Sequence, residues 1–265
     1  MRESGTIVFV HGAWVTARCW DPFVRYFGER GYRCLAPSWP CKDASPAQLR
    51  ASPPPQLAGL GVREIVDHYA AFIRTLPETP VIIGHSYGGL FTQMLLDRGL
   101  GRAGVAISPA PPRGVLALYP TTIRSNFSVL RRWAGWSKII PPSFEEFSYG
   151  FLNTIAPSAR RAIYDEHAVP ETGRIFFQAA FALLDRAQAT RVNFANPARA
   201  PLLITAGSAD HNVTPAMVRV NYRKYRGSPV RTDYHEFAGR SHWIIAAPGW
   251  DAAAAFIAEW LGTVS

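Results

Sequence analysis

Short apolar runs rich in Val and Ile alternate along this chain with longer amphipathic segments, and that alternation limits the folds open to it. Apolar strands separated by helical segments are typical of a mostly parallel sheet with helices on both faces. We predict strands at 6–10, 33–37, 81–84, 104–108, 202–206 and 231–237, and helices at 20–30, 62–76, 88–97, 215–225 and 250–261. The sequence therefore predicts an α/β fold with a doubly wound sheet of about six strands.

The alternation fails between Pro109 and Pro201, where the pattern is helical and shows no good strand. We predict an α/β core domain of residues 1–110 and 200–265, and a helical cap (lid) insertion of residues 111–199. Ligands of an open parallel sheet bind beyond the carboxyl ends of its strands, where such an insertion would emerge. We also expect the proline-rich segment 46–61 to be an irregular surface loop.

Composition excludes several classes of function. The net charge is +9, but the basic residues are spread along 265 residues without a nucleic-acid-binding module, so no nucleic-acid partner is expected. No uninterrupted apolar run is long enough to span a membrane. The first residues lead directly into a strand and leave no room for a signal peptide, so we expect a cytoplasmic protein. The three cysteines show no paired spacing, and we predict neither a metal nor a cofactor.

One stretch of the chain is strongly basic. No acidic residue lies between Asp97 and Glu145, whereas seven basic residues lie between Arg98 and Lys138. The simpler interpretation is a solvated surface. The alternative is attraction of an anionic substrate, a lipid surface or an acidic carrier protein.

The segment from Val81 to Leu90 carries the strongest chemical signal. An apolar strand leads into Gly84-His85-Ser86-Tyr87-Gly88-Gly89, and a helical segment follows. A tight turn of this kind holds a serine hydroxyl out of a sheet, and the flanking glycines relieve crowding of the backbone. We therefore predict Ser86 to be a nucleophile.

A serine nucleophile needs a histidine as base and a carboxylate that orients the histidine. His242 follows the last predicted strand on a short glycine-containing loop, and Asp210 follows the preceding strand. We assign these two residues as base and acid. His211 and His235 are competing bases, Asp233 is a competing acid, and Asp210 could instead be only an N-cap.

Two backbone N–H groups should stabilise the oxyanion that forms on the substrate. Tyr87 directly follows the serine, and Ala13 lies in the loop after the first strand, behind His11 and Gly12. We predict that these two residues form the oxyanion hole. Trp14 is the alternative donor, or a wall of the pocket.

Together these motifs resemble the α/β-hydrolase fold superfamily, specifically its small serine esterase and lactonase branch. The matches are His11-Gly12, Gly84 to Gly89, Gly207-x-x-Asp210 and Gly239-Arg240-Ser241-His242. The resemblance implies that the usual first two strands of the fold are missing. Ser86 departs from the aspartate of dehalogenases and epoxide hydrolases, while Gly12 and Trp243 depart from the threonine and lysine of plant hydroxynitrile lyases.

These observations predict a serine hydrolase that cleaves a carboxylic ester of an apolar or acyl-bearing small molecule. The alternative is a lactonase, for example one that opens acyl-homoserine lactones, with the same triad. A cofactor-free lyase or oxygenase and a non-hydrolytic ligand sensor are further alternatives. We predict that the substrate contacts aromatic side chains from the set Trp14, Trp133, Trp136, Phe181 and Trp243.

Overall fold

The computed structural model of the protein describes residues 5–116 and 119–264. Within them, six parallel strands form the central sheet. The strands are β1 (Thr6–Val10), β2 (Arg33–Leu35), β3 (Val81–His85), β4 (Ala103–Ile107), β7 (Leu202–Gly207) and β8 (Thr232–Phe237). The four inner strands are buried throughout, because helices cover both faces. The prediction of an α/β fold with a six-stranded parallel sheet is confirmed.

The chain reverses its direction across the sheet after β2. From β1 it steps outward to β2, returns past β1 to β3, and then continues through β4, β7 and β8. Since parallel crossovers are right-handed, this reversal sends the helices that follow β1 and β3 to opposite faces. A crevice opens between the carboxyl ends of β1 and β3, and such switch points are where open α/β sheets bind ligands.

The helices around the sheet have sequence signals at their ends. Val62–Arg74 (α3) buries a face with apolar residues three and four positions apart. Pro215–Lys224 (α10) is capped at its N-terminus by Thr214, whose side chain accepts the N–H of Met217. Tyr87–Asp97 (α4) is buried almost throughout because it packs on the centre of the sheet. The remaining core helices are α1 (Asp21–Gly28) and α11 (Trp250–Gly262), which pack against each other, and the short α2 (Pro46–Ala51).

Residues 111–199 connect β4 to β7, and we call them the cap segment. Their description as a separate domain remains a proposal. The segment contains the short helices α5 (Pro120–Ser125), α6 (Phe127–Leu130), α7 (Phe144–Gly150), α8 (Pro157–His167) and α9 (Arg174–Ala180), and the strands β5 (Ile139–Ile140) and β6 (Glu171–Thr172).

Two local expectations were wrong. The cap segment does contain strands, since β5 and β6 pair antiparallel, but with two residues each they are too short to show an alternating pattern. Segment 46–61 is not an irregular loop, because it holds α2 and a 3₁₀ turn at Pro55–Gly59. Pro46 occupies the first turn of α2, where its missing N–H costs nothing, and Ser45 caps that helix. Across the described residues, no helix combines the length and apolarity needed to cross a membrane.

Candidate active site

Ser86 lies in the turn between β3 and α4, with φ 57° and ψ −121°. An L-residue rarely adopts a positive φ, so this backbone is strained by about 1–3 kcal/mol. The turn also needs its glycines. A Cβ atom at Gly84 would overlap the carbonyl group of Gly88, and one at Gly88 would overlap that of Val10. The sequence thus folds into the tight strand-to-helix turn that the glycine spacing predicts.

His242 and Asp210 meet where the loops after β8 and β7 converge. Nδ1 of His242 lies 2.7 Å from Oδ2 of Asp210, and neither side chain is exposed. The other carboxylate oxygen, Oδ1, accepts the N–H groups of Asn212 and Val213, each at 2.8 Å. Because the carboxylate is held at both oxygens, it fixes the imidazole with Nδ1 protonated and Nε2 as the free base.

Nε2 of His242 is buried and has no hydrogen-bond partner among the residues that the structure describes. The structure gives no hydrogen bond between it and the hydroxyl of Ser86, and such contacts often tighten only when substrate is bound. Its lone pair is therefore available for a proton. The N-cap of α10 is Thr214, so Asp210 does not have that role.

The competing residues have partners elsewhere. His211 hydrogen-bonds to the carbonyl of Tyr149, and His235 stacks on Phe256 at 4.0 Å. Asp233 pairs with Arg231 and accepts the indole N–H of Trp260, both at 2.6 Å. None of the three is among the described residues that line the cavity with Ser86.

Two further histidines orient the site. His85 is fully buried, and its Nε2–H donates to the carbonyl oxygen of His242 at 2.8 Å, which fixes the backbone that carries the candidate base. His11 donates from Nδ1 to the carbonyl of Gly12 at 2.8 Å and accepts the N–H of Trp39 at 3.2 Å. Burial holds the pKa of both histidines well below 6.5, and Lys42 near His11 and His242 near His85 add to the shift. Both histidines are therefore neutral positioning groups.

The N–H groups of Ala13 and Tyr87 donate no hydrogen bond within the described part of the chain. Both residues line the same cavity as Ser86. Gly12 lies against the serine, because a Cβ atom at Gly12 would be 2.7 Å from Cβ of Ser86. The N–H of Trp14 instead points at Oε2 of Glu171, at 3.4 Å, which leaves Trp14 as a wall of the cavity.

The cap segment contacts each loop that carries a candidate catalytic group. The carbonyl of Trp14 accepts the N–H of Val169 at 2.8 Å. The N–H of Trp243 donates to the carbonyl of Phe151 at 3.2 Å, and the Phe151 ring packs edge-on against His242 at 4.7 Å. The residues on either side of Asp210 accept further hydrogen bonds from Thr122, Ser125, Asn126 and Asn153. None of these contacts has a local sequence signal.

A cavity that is partly open to solvent lies over Ser86. Its walls are mostly apolar, and three side chains, Thr122, Asn126 and Asn212, supply polar groups. Among the described residues, no lysine, arginine or carboxylate lines it. The apolar lining includes Trp14, Tyr87, Ile123, Leu130, Phe176, Val213 and Met217. Such a cavity suits an uncharged, largely apolar substrate.

Of the five aromatic residues predicted to contact substrate, the structure brings only Trp14 to this cavity. Trp133, Trp136 and Phe181 lie on the surface of the cap segment with 85%, 50% and 44% of their areas exposed. Trp243 is buried beneath the cap segment, next to the rings of His167 and Phe147.

The basic stretch is partly engaged within the protein. Arg98 pairs with Asp67 at 2.6 Å, and Arg113 donates to cap-segment carbonyls that include that of Leu183. The guanidinium of Arg124 stacks on Tyr149 at 3.9 Å.

Comparisons with known proteins agree with this architecture. The model of the alpha/beta hydrolase family matches residues 7–259. No curated protein matches the sequence significantly. Among solved structures, a monoacylglycerol lipase from Paleococcus ferrophilus superposes with a TM-score of 0.70 at 22% identity, over 99% of this chain and 96% of that one.

Two other solved structures superpose over nearly their whole lengths. A methylesterase from Arabidopsis gives a TM-score of 0.68 at 13% identity, over 97% of this chain and 99% of that one. A pyrethroid hydrolase from Sphingobium faniae gives 0.61 at 15% identity, over 97% and 96%. At these identities the superpositions establish the shared fold alone.

Proposed function

Because the chain belongs to the alpha/beta hydrolase family, we propose that it is a serine hydrolase that cleaves a carboxylic ester of an uncharged, largely apolar small molecule. The observation that supports the proposal is that His85, next to Ser86 in the turn, hydrogen-bonds to the carbonyl of His242. The imidazole of His242 is buried and paired with Asp210, and Ser86 itself lines one apolar cavity. The fold is shared with a lipase, a methylesterase and a pyrethroid hydrolase, which supports ester cleavage as the reaction class.

The proposed reaction proceeds through an acyl-enzyme. Nε2 of His242 takes the proton of Ser86 while Oγ attacks the ester carbonyl, and Asp210 stabilises the imidazolium that forms. The N–H groups of Ala13 and Tyr87 hold the oxyanion, each contributing about 3 kcal/mol to lowering the barrier. His242 returns the proton to the leaving alkoxide, and the C–O bond of the ester breaks. Water, deprotonated by His242, then releases the acid and regenerates Ser86.

The test combines covalent labelling with turnover. We expect a fluorophosphonate to label the protein at Ser86, and nitrophenyl esters of graded chain length to be turned over many times. Ser86→Ala should abolish both signals. Labelling that persists in Ser86→Ala would contradict the assignment of the nucleophile. Turnover that survives this substitution would favour the lyase or oxygenase alternative, in which the serine is only a hydrogen-bond donor.

Lactones demand the same groups, so a lactonase remains the second candidate. Adding lactones to the same substrate series distinguishes the two by relative kcat/KM. An acidic carrier protein as donor of the acyl group also remains a proposal, and it rests on Arg131, Arg132 and Lys138, which are exposed on the cap segment. Carrier-bound turnover that is insensitive to salt would contradict it.

A further inference from the structure

Two asparagines supply side-chain amide groups to the cavity over Ser86. Asn126 comes from the cap segment and Asn212 from the loop after Asp210. They are 8% and 7% exposed, so both side chains are mostly buried. Buried amides normally have all their hydrogen bonds satisfied, and a free group that lines a cavity therefore points to a ligand.

The hydrogen bonds fix which way each amide faces. Nδ2 of Asn126 donates to the carbonyl of Thr122 and to Oδ1 of Asn212, both at 2.9 Å. A backbone carbonyl only accepts, so the nitrogen of Asn126 must face Thr122, and the second bond then fixes the oxygen of Asn212. The hydrogen bonds among the described residues use Nδ2 of Asn126 and Oδ1 of Asn212 and engage neither Oδ1 of Asn126 nor Nδ2 of Asn212.

The pair is also held rigidly. The N–H of Asn212 donates to Oδ1 of Asp210 at 2.8 Å, and its carbonyl accepts the hydroxyl of Thr122 at 2.8 Å. The two amides therefore present one acceptor and one donor in fixed positions. Ligand binding needs no reordering of these side chains, which favours selective recognition.

We infer that Asn126 and Asn212 form a specificity subsite that binds a secondary amide carried on the ester substrate. The amide N–H donates to Oδ1 of Asn126, and the amide carbonyl accepts from Nδ2 of Asn212. This inference rests on the proposed ester hydrolysis and narrows its substrate class. A purely alkyl chain would leave both asparagine groups unpaired in an apolar cavity, and such unpaired groups select strongly against it.

The lining of the cavity favours an amide over a charged group. In the described part of the chain no cationic side chain lines the cavity to neutralise a carboxylate or phosphate, and such an anion would repel Oδ1 of Asn126. A ketone satisfies only Asn212. A secondary amide satisfies both groups and carries no charge.

The experiment compares nitrophenyl esters of equal chain length on the wild-type enzyme. Each set contains three esters: one whose chain carries a secondary amide, one with a ketone at the position of the amide carbonyl, and one with methylenes only. Four sets place the amide one, two, three or four methylenes from the ester. At one position we expect kcat/KM for the amide to exceed that of the methylene ester by about ten- to a hundredfold, with the ketone between them. Ratios near one at every position would overturn the inference.

Two variants test whether Asn126 causes the preference for the amide ester. Asn126→Leu should bring the ratio of amide to methylene ester close to one. Asn153→Leu is the matched control, because Asn153 hydrogen-bonds from the cap segment to the carbonyl of Ala209 but does not line the cavity. Its ratio should equal that of the wild type even if its rates fall. An amide preference that persists in Asn126→Leu would overturn the assignment to this residue.

Failure of this inference is distinguishable from failure of the proposed function. If the enzyme hydrolyses all three esters equally and a fluorophosphonate labels Ser86, ester hydrolysis stands and the amide subsite is wrong. If no ester in any set is hydrolysed and Ser86 is not labelled, the proposed function is wrong and the subsite falls with it. The comparison on the wild-type enzyme needs no variant to fold.

Discussion

Nζ of Lys42 lies 2.6 Å from Oε2 of Glu171, and neither side chain is exposed to solvent. The pair joins the loop after β2 to strand β6 of the cap segment, and the same carboxylate oxygen accepts the N–H of Trp14. Burial lowers the pKa of Lys42, and Glu171 opposes the shift. A fully buried ion pair thus braces the loop that carries Ala13 against the cap segment.

Breaking this pair from one side should destabilise the protein. Lys42→Met leaves the Glu171 carboxylate buried and unpaired, and we expect the free energy of unfolding to fall by about 3–5 kcal/mol. The double variant Lys42→Met/Glu171→Gln removes both charges and should recover at least half of the loss. Chemical denaturation measures these changes.

The matched control for this prediction is Arg161→Ala. Arg161 and Asp165 form an exposed pair at 3.0 Å on α8, and its loss should cost less than about 1 kcal/mol. Equal losses in Lys42→Met and Arg161→Ala would contradict the role given to the buried pair.

Gly12→Ala should reduce activity far more than stability. The new methyl group would lie 2.7 Å from Cβ of Ser86 and 3.0 Å from the carbonyl of His85, so the nucleophile or the oxyanion loop must shift. A displacement of about 1 Å costs roughly a hundredfold in rate, and we expect kcat/KM for nitrophenyl esters to fall by about that factor.

Gly28→Ala is the control for that substitution, because nothing lies within 4 Å of a Cβ atom at this position in α1. It should leave kcat/KM unchanged and slightly raise the free energy of unfolding. If Gly12→Ala also left kcat/KM unchanged, the packing of Gly12 against Ser86 would have no bearing on activity.

We expect His85 to affect kcat through the hydrogen bond that it donates to the carbonyl of His242. In His85→Leu that carbonyl loses its donor and the loop can shift, so we expect kcat to fall roughly tenfold with little change in KM. His85→Gln supplies an N–H in place of the imidazole and should retain most of kcat. Steady-state kinetics on both variants check this, and equal losses in the two would mean that ring packing, not the hydrogen bond, is what matters.

Stability should decrease on mild acidification. The pKa values of His11 and His85 lie well below 6.5 in the folded protein because burial disfavours the charged imidazole. Below about pH 6.5 the unfolded chain binds protons that the folded protein does not. The free energy of unfolding should therefore fall by up to roughly 1.4 kcal/mol per pH unit for each histidine, and stay flat above pH 7.5.

Denaturation midpoints at pH 5.5, 6.5 and 7.5 measure this dependence. His11→Asn should flatten the slope, because asparagine cannot take up the proton. Identical stabilities at pH 5.5 and 7.5 would show that the buried histidines are not coupled to folding.

Features with a local sequence signal were predictable, and features built from distant residues were not. The turn at Ser86 follows from its glycines, because only they fit beside the neighbouring carbonyls. The pairing of β7 with β8 then brings together the loops that carry Asp210 and His242. The Lys42–Glu171 pair joins residues 129 apart in sequence, and hydrophobic periodicity contains no trace of it.

The pocket illustrates the same limit. The aromatic composition of residues 111–199 pointed to Trp133 and Trp136 as substrate contacts, yet these rings lie on the surface, whereas Asn126 and Phe176 line the cavity. Which face of a short helix turns inward depends on its packing against the core loops. The sequence of a helix of only four to seven residues does not by itself determine which face turns inward.

The hydrogen bonds from residues 111–199 to the loops of Trp14, Asp210 and Trp243 have a consequence for engineering. A segment grafted from a relative would have to reproduce the carbonyl of Phe151, the N–H of Val169 and the carboxylate of Glu171 at matching heights above the sheet. A chimera that exchanges substrate range by transplanting this region alone should therefore lose catalysis first. Substitutions of individual side chains that line the cavity should change specificity with less damage to catalysis than exchange of the whole segment.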